Sequence, residues 1–275
     1  MVSKALEAVN EFSSALWSDV DAFLERTLVP NNIDESSIAH GERPIAVFDA
    51  DGTLWDKDAG ETFFQWQIDN CGFSHLSDDP WGYYHNWKKR DPHGAYGWLA
   101  QISAGHELGT VRNWAQLCYE SQKPWPVFQS IQDLFKILTA AEFDLYVVTA
   151  SVKWAVEPAA YDLLGVPPEN VLGIETETFA DANGRIIVTD MVKSPITYRQ
   201  GKADALLRAT GGRKPVLAAG NTLGDIALLD LATDFKLMIQ SQSPLLSENS
   251  GLLAEEKKLR DHGKPLGWRL HAFRS

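Results

Sequence analysis

The run Val47-Phe48-Asp49-Ala50-Asp51-Gly52-Thr53-Leu54-Trp55 places two carboxylates two residues apart, where an apolar strand runs into a glycine turn. In a strand, residues i and i+2 project to the same face. Asp49 and Asp51 therefore begin as neighbours, and a turn opening at Ala50 can rotate one away from the other. Anions this close repel each other and require a cation between or beside them. Magnesium, a hard ion that takes oxygen ligands and keeps water and substrate phosphate among them, meets that need. The plainer reading makes Asp51-Gly52 an ordinary turn pair and Asp49 a strand-end cap, so the rest of the chain has to decide.

Three further segments bear on the choice. Asp144-Leu145-Tyr146-Val147-Val148-Thr149-Ala150-Ser151 is a second apolar strand that stops at hydroxyl residues, Thr149 and Ser151. Gly201-Lys202 opens a helical stretch over residues 203–209, so a lysine stands at a helix N-terminus, where backbone N–H groups and the dipole already favour anions. Pro215-Val216-Leu217-Ala218-Ala219 is a third strand, ending at Gly220-Asn221-Thr222-Leu223-Gly224-Asp225. Ligands of open α/β sheets bind outside the carboxyl ends of the strands, where strand order reverses. The four segments are expected to converge there.

With these residues in that order the chain resembles the haloacid dehalogenase superfamily, in its phosphoserine-phosphatase-like branch. Asp49, Asp51 and Thr53 match the family's first motif, Thr149 its second, Lys202 its third, and Gly220, Asn221 and Asp225 its fourth, over roughly residues 44–240. The resemblance implies an α/β fold, a Rossmann-like parallel sheet core with an inserted helical cap domain. It divides the chain into an N-terminal helical segment at 1–40, a core at 41–56 and 142–275, and a cap at 57–141. It also implies a magnesium-dependent phosphatase acting on a small phosphorylated metabolite. Asp49 would be the nucleophile that forms an aspartyl-phosphate, and Asp51 the general acid and then base. Thr149 would donate to the phosphoryl group and Lys202 would neutralise it. Mg2+ would sit on the Asp49 side chain, the Asp51 carbonyl, and Asn221 or Asp225. The chain departs from the family at Asn221, where the motif usually has an aspartate. An amide oxygen ligates without contributing charge, so Asp225 becomes the stronger charged candidate. Thr53 and Ser151 are further candidates for substrate contact. Asp58 stands at the distance from Asp49 where phosphoserine phosphatases carry a glutamate that reads the substrate amine, and Glu61 lies just beyond it.

Composition excludes other classes. A formal net charge of −12 does not make the basic footprint that nucleic acid requires. Two cysteines, Cys71 and Cys118, give no disulfide framework and suit a reducing compartment. No run is apolar and long enough to span a bilayer. Residues 1–21 carry Glu7, Glu11 and Asp19 and no continuous apolar core, unlike a secretory signal. A cytoplasmic protein without nucleic-acid or membrane partners is expected, its oligomeric state left open.

Apolar residues spaced three and four apart predict a helix over residues 2–28, and others over 127–141, 154–164 and 225–231. Strands are expected at 171–176 and 185–189 as a hairpin around Asp181-Ala182-Asn183-Gly184, with more near Val216 and Phe235. Their alternation with helices implies a parallel sheet. Seven of the ten tryptophans, Trp55, Trp66, Trp81, Trp87, Trp98, Trp114 and Trp125, fall in or beside the insertion. They either build its core or, with Asp58 and Glu61, line a pocket for an amine. Phosphomutase, phosphonate hydrolase and dehalogenase chemistry belong to the same fold, and a binding protein that has lost turnover is a further alternative. The metal- and phosphate-type residues weigh against dehalogenation.

Overall fold

The computed structural model describes residues 11–28, 43–242 and 250–274. In chain order its first elements are α1 (Ser14–Leu28), β1 (Ile45–Phe48), α2 (Ala59–Cys71), α3 (Pro80–Arg90), α4 (Pro92–Gln101), α5 (Leu108–Ser121) and α6 (Gln129–Ala140). Next come β2 (Asp144–Val152), α7 (Lys153–Leu164), β3 (Val171–Ile174), β4 (Thr176–Ala180), β5 (Ile186–Val192) and α8 (Gln200–Ala209). The chain then runs through β6 (Leu217–Gly220), α9 (Ile226–Leu231), β7 (Phe235–Gln242), α10 (Ser250–Gly263) and β8 (Arg269–Arg274). Of the helix expected over residues 2–28, the part before residue 11 lies outside the described residues.

All four residues of β1 and of β6 are buried, the pattern of parallel strands covered on both faces. The sheet has six strands in the order β3-β2-β1-β6-β7-β8. β1 pairs in parallel with β2, Ile45 opposite Asp144, and with β6, Ala46 opposite Leu217. Strand order thus runs outward in one direction from β1 and in the other from β6. The reversal falls between these two strands, and their carboxyl ends carry Asp49 and Asn221 as the next residues. A doubly wound sheet places its ligands at such a reversal.

The chain folds as two compact units. The first comprises Met1–Asp56, Val127–Val147 and Leu207–Ser275; the second comprises the residues between, 57–126 and 148–206. In the first, α1 buries Leu16, Val20 and Phe23, and the Phe23 ring lies 5.1 Å from that of Phe235. Each such side chain contributes about 2 kcal/mol by leaving water. Residues 127–141, read from the sequence as the end of the insertion, belong to this first unit, and their helix spans Gln129–Ala140. α6 buries Ile131, Leu134, Phe135 and Leu138, and Phe135 stacks obliquely on Phe48 of β1 at 4.4 Å.

The second unit holds α2 to α5, α7, β3 and the antiparallel hairpin of β4 and β5. Its core gathers Phe63, Phe64, Tyr84, Leu99, Val111 and Trp154, with Trp66, Trp81, Trp87, Trp98 and Trp114 packed around them. Phe64 meets Trp81 and Trp98 edge-on at 4.8 and 5.5 Å, a favoured geometry for aromatic pairs. These five tryptophans build a core for short helices that have little aliphatic bulk. Among the described residues no helix is long and apolar enough to cross a membrane.

His271 of β8 is a structural liability with a measurable consequence. It is buried between Phe12 and Phe273, ring centroids 4.7 and 4.3 Å away, and its Nε2 has no hydrogen-bond partner. Burial pushes its pKa down to about 4. The unfolded chain takes up the proton near pH 6.5, so the contribution of neutral His271 is complete above that pH and is lost as pH falls toward the folded value. Urea unfolding at pH 7.5 and pH 5.5 is expected to differ by roughly 1–1.5 kcal/mol more in the wild type than in His271→Phe. Equal pH slopes in the two proteins would exclude His271 as the source.

Candidate active site

In the first unit, the end of β1 presents the Asp49–Trp55 loop. The Asp49 N–H still belongs to the sheet, donating to the Ala219 carbonyl at 2.9 Å, whereas its side chain leaves the strand and is buried. Thr53, fully buried, donates its hydroxyl to Asp49 Oδ2 at 3.0 Å. Thr53, read from the sequence as a substrate contact, therefore holds the Asp49 carboxylate. Asp51 is half-buried, and its Oδ1 accepts a 2.8 Å hydrogen bond from the indole Nε1 of Trp55. Gly52 adopts a φ of +78°, and a Cβ there would run into the side-chain amide of Asn221. The turn thus requires glycine twice, for its backbone conformation and for the approach of Asn221.

The loop after β6 closes on itself through Asp225. This carboxylate is fully buried, and Oδ2 accepts from the Asn221 N–H at 3.1 Å, the Thr222 N–H at 2.9 Å and the Thr222 hydroxyl at 3.1 Å. Thr222 and Asp225 form a reciprocal capping box. Asp225 fastens the turn, and Asn221 is the side chain that the turn delivers against Gly52. Asn221 is buried and its Nδ2 has no partner, which is rare for a buried amide. A half-turn of the amide exchanges Nδ2 for Oδ1 without changing its shape, presenting the kind of oxygen a hard cation takes. Among the described residues no three His, Cys, Asp or Glu side chains gather into a metal cage. The donor set is the kind that magnesium uses, a carboxylate and carbonyl oxygens completed by water and phosphate.

In the second unit, β2 carries Thr149 and Ser151. Thr149 is buried and its Oγ1 accepts the Ser151 N–H at 3.0 Å, which leaves the hydroxyl hydrogen to donate elsewhere. The Thr149 carbonyl accepts from the buried Thr197 hydroxyl at 2.6 Å, tying the strand end to the segment that enters α8. Lys202, third residue of α8, is buried. A Cβ on Gly201 would run into the Ile196 carbonyl oxygen, so glycine is what lets this helix start lie so close to the chain before it.

The insertion residues have partners that their sequence positions do not announce. Asp58 caps α2, its Oδ1 accepting the Glu61 N–H at 2.7 Å. Glu61 Oε1 accepts from Lys88 Nζ at 2.7 Å and from the Tyr84 hydroxyl at 3.2 Å. Lys88 Nζ also lies 5.3 Å from the ring centroids of both Tyr84 and Tyr96. Burial pushes the Lys88 ammonium down, yet Tyr96, Tyr84, Glu61 and Asp58 outweigh it and hold the pKa above the ordinary lysine value. Burial raises both thiols, Cys71 and Cys118, to about 11, so neither is a reactive thiolate near neutrality. Thr197, Tyr84 and Tyr96 were not singled out from the sequence, and Trp55 entered only with the tryptophan cluster. The signal for Trp55 was its place four residues after Asp51; Lys88 lies 27 positions from Glu61, with no local pattern to join them.

A profile of the haloacid dehalogenase-like hydrolases matches residues 46–230, and the chain belongs to that family. No curated protein sequence matches it. Among solved structures it is similar to a conserved, functionally unknown protein from Anaerococcus prevotii DSM 20548, at 16% identity and a TM-score of 0.67 over 96% of this chain and 95% of that one. It is also similar to a protein of unknown function from Bordetella pertussis Tohama I, at 19% identity and a TM-score of 0.61 over 83% and 97% of the respective chains. A substrate-bound phosphoserine phosphatase is more distant, with a TM-score of 0.47 at 13% identity over 80% of this chain and 98% of that one.

Proposed function

We propose that this hydrolase is a magnesium-dependent phosphatase that cleaves a small phosphomonoester through an aspartyl-phosphate. The observation that carries the reading is the pair of first-unit carboxylates held in different ways, Asp49 by the Thr53 hydroxyl and Asp51 by the Trp55 indole. A nucleophile and a proton carrier need distinct settings. Asp49 attacks phosphorus, and the Thr53 hydrogen bond orients its carboxylate. Asp51 gives a proton to the leaving alkoxide and later takes one from the attacking water. Thr149 donates to the phosphoryl group and Lys202 balances its charge, with Ser151 as a further contact.

The Asp49 carboxylate, the Asp51 carbonyl and the Asn221 amide would hold the metal, with Asp225 shaping the turn that carries Asn221. When bound, magnesium supplies charge neutralisation on the phosphoryl oxygens. For the leaving group, Asp58 is engaged as a cap and Glu61 by Lys88. An ammonium on the substrate would have to displace Lys88 from Glu61. A neutral or anionic leaving group therefore fits better than a quaternary ammonium.

A panel of phosphate esters containing phosphoserine, phosphocholine and a hexose phosphate, assayed beside p-nitrophenyl phosphate, tests the proposal. Phosphate release is expected with added Mg2+ and is expected to vanish after exhaustive chelation, returning when Mg2+ is restored. Full activity in the chelated protein would remove the metal from the mechanism, and preference for phosphocholine would reverse the leaving-group assignment.

A further inference from the structure

We infer that Thr197 is a positioning residue, a strut that fixes the Thr149 hydroxyl to the start of α8 and so presents it together with Lys202. The inference rests on the reading above, in which Thr149 and Lys202 both hold the phosphoryl group, and adds how the first is kept in place. Pairing of β2 with β1 ends at Val147, two residues before Thr149. The Thr149 carbonyl accepts the hydroxyl of Thr197 at 2.6 Å, and both threonines are buried. That length lies at the short end of the O–H···O range. The bond also bears on the Thr149 side chain. Thr149 Oγ1 accepts the Ser151 N–H at 3.0 Å, and the branched β-carbon of threonine restricts χ1. The peptide that Thr197 holds lies between the Cα bearing that hydroxyl and the N–H that the hydroxyl accepts. Holding the one therefore holds the other.

The strut stands on a compact base. Residues 196–202 fold through successive turns: the Tyr198 N–H donates to the Ile196 carbonyl at 2.7 Å, the Gly201 N–H to the Tyr198 carbonyl at 3.0 Å, and the Lys202 N–H to the Arg199 carbonyl at 3.0 Å. The Tyr198 ring meets that of Tyr96 on α4 edge-on, centroids 5.3 Å apart. Thr197 and Lys202 thus share one framework inside the second unit, and the Thr197 hydroxyl carries the position of that framework across to β2. A misplacement of about 1 Å in a group that orients reacting atoms costs on the order of 10²-fold in rate. A single neutral hydrogen bond adds only modestly to stability. Loss of the Thr197 donor is therefore felt in turnover before it is felt in folding.

The test is a set of variants assayed by kcat/KM on an alkyl phosphate and on p-nitrophenyl phosphate. Thr197→Val keeps the shape of the side chain and loses the donor. It is expected to lower kcat/KM by roughly ten- to hundred-fold, and equally on both esters, because they share the phosphoryl group. Thr197→Ser keeps the hydroxyl and is expected to stay within about three-fold of the wild type. Should Thr197→Val prove too unstable to assay, Thr197→Ala stands in for it beside Thr197→Ser, the two differing only by the oxygen. Equal activity with and without the hydroxyl, or a loss confined to one ester, would overturn the inference. A double-mutant cycle with Thr149→Val separates positioning from a general loss of structure. Once the Thr149 hydroxyl is gone there is nothing left to position, so Thr197→Val is expected to add less than about three-fold to the defect of Thr149→Val. Losses that multiply would refute the strut. The two levels of the argument fail differently: if Thr149→Val itself keeps wild-type kcat/KM, the phosphoryl-contact reading falls and takes this inference with it. If Thr149→Val is impaired and Thr197→Val is not, Thr149 keeps its role and Thr197 loses its own.

Discussion

Asp49→Asn is expected to lower turnover on every phosphate ester by on the order of 10⁴-fold or more, while leaving the folded protein intact. The asparagine side chain has the size and shape of the aspartate it replaces. Its Oδ1 can still accept the Thr53 hydroxyl, which donates to Asp49 Oδ2 at 3.0 Å in the wild type. What disappears is the anionic oxygen that forms the bond to phosphorus, and an amide is a poor substitute. Because the site is buried, removing one negative charge there costs little in packing and relieves repulsion with Asp51. Thermal denaturation is therefore expected within a few degrees of the wild type while activity is lost. Acid quench of the wild type during turnover of radiolabelled substrate should leave label on the peptide containing Asp49, and the variant should show none. Residual activity within ten-fold of the wild type, or label retained in Asp49→Asn, would remove Asp49 from the nucleophile's place.

The strand ends were legible because a buried strand cannot change abruptly to charge without a physical reason. β1 and β6 are fully buried and stop one residue short of Asp49 and Asn221, so apolar runs and their polar ends sufficed to find both loops. Which member of the Asn221-to-Asp225 turn faces the Asp49 loop was not legible. On charge alone Asp225 was the stronger candidate, yet a carboxylate next to unpaired backbone N–H groups at a turn is drawn to them, and Asp225 Oδ2 takes the N–H groups of Asn221 and Thr222. Glu61 was read either as an ordinary surface carboxylate or, with Asp58, as a contact for a substrate amine. The lysine that meets it lies on another helix of the same unit, and helical periodicity carries no information about which faces of separate helices meet. The tryptophan-rich insertion was open to two readings for a related reason: the number of rings is visible in the sequence, but their edge-to-face packing into one core is a property of the assembled helices. The strand at the sheet edge, β8, and α10 before it were not predicted; their apolar residues are interrupted by Arg269, His271 and a run of charges, which hides the periodicity.

Asp51→Asn is expected to separate the two half-reactions of the proposed mechanism. Loss of the proton donor should lower kcat/KM for an alkyl phosphate by about 10²–10⁴-fold, because an alkoxide leaves slowly without a proton. Nitrophenolate is a stable anion, so kcat/KM for p-nitrophenyl phosphate is expected to change by less than about ten-fold. The second half-reaction is the same for both esters, since each yields the same phosphorylated Asp49, and it needs Asp51 as base for the attacking water. In the variant that step is slow whatever the leaving group was. Nitrophenolate should then appear in a burst equal to the enzyme concentration, followed by a slow steady rate, whereas the alkyl ester, limited by its first step, should show no burst. The amide oxygen introduced by the substitution can still accept from the Trp55 indole, which donates to Asp51 Oδ1 at 2.8 Å in the wild type, so the loop is expected to keep its geometry. The defect is then chemical and not conformational. Equal losses of kcat/KM on the two esters with no burst on either would mean that Asp51 transfers no proton, and that the two carboxylates at the end of β1 do not divide the chemistry between them.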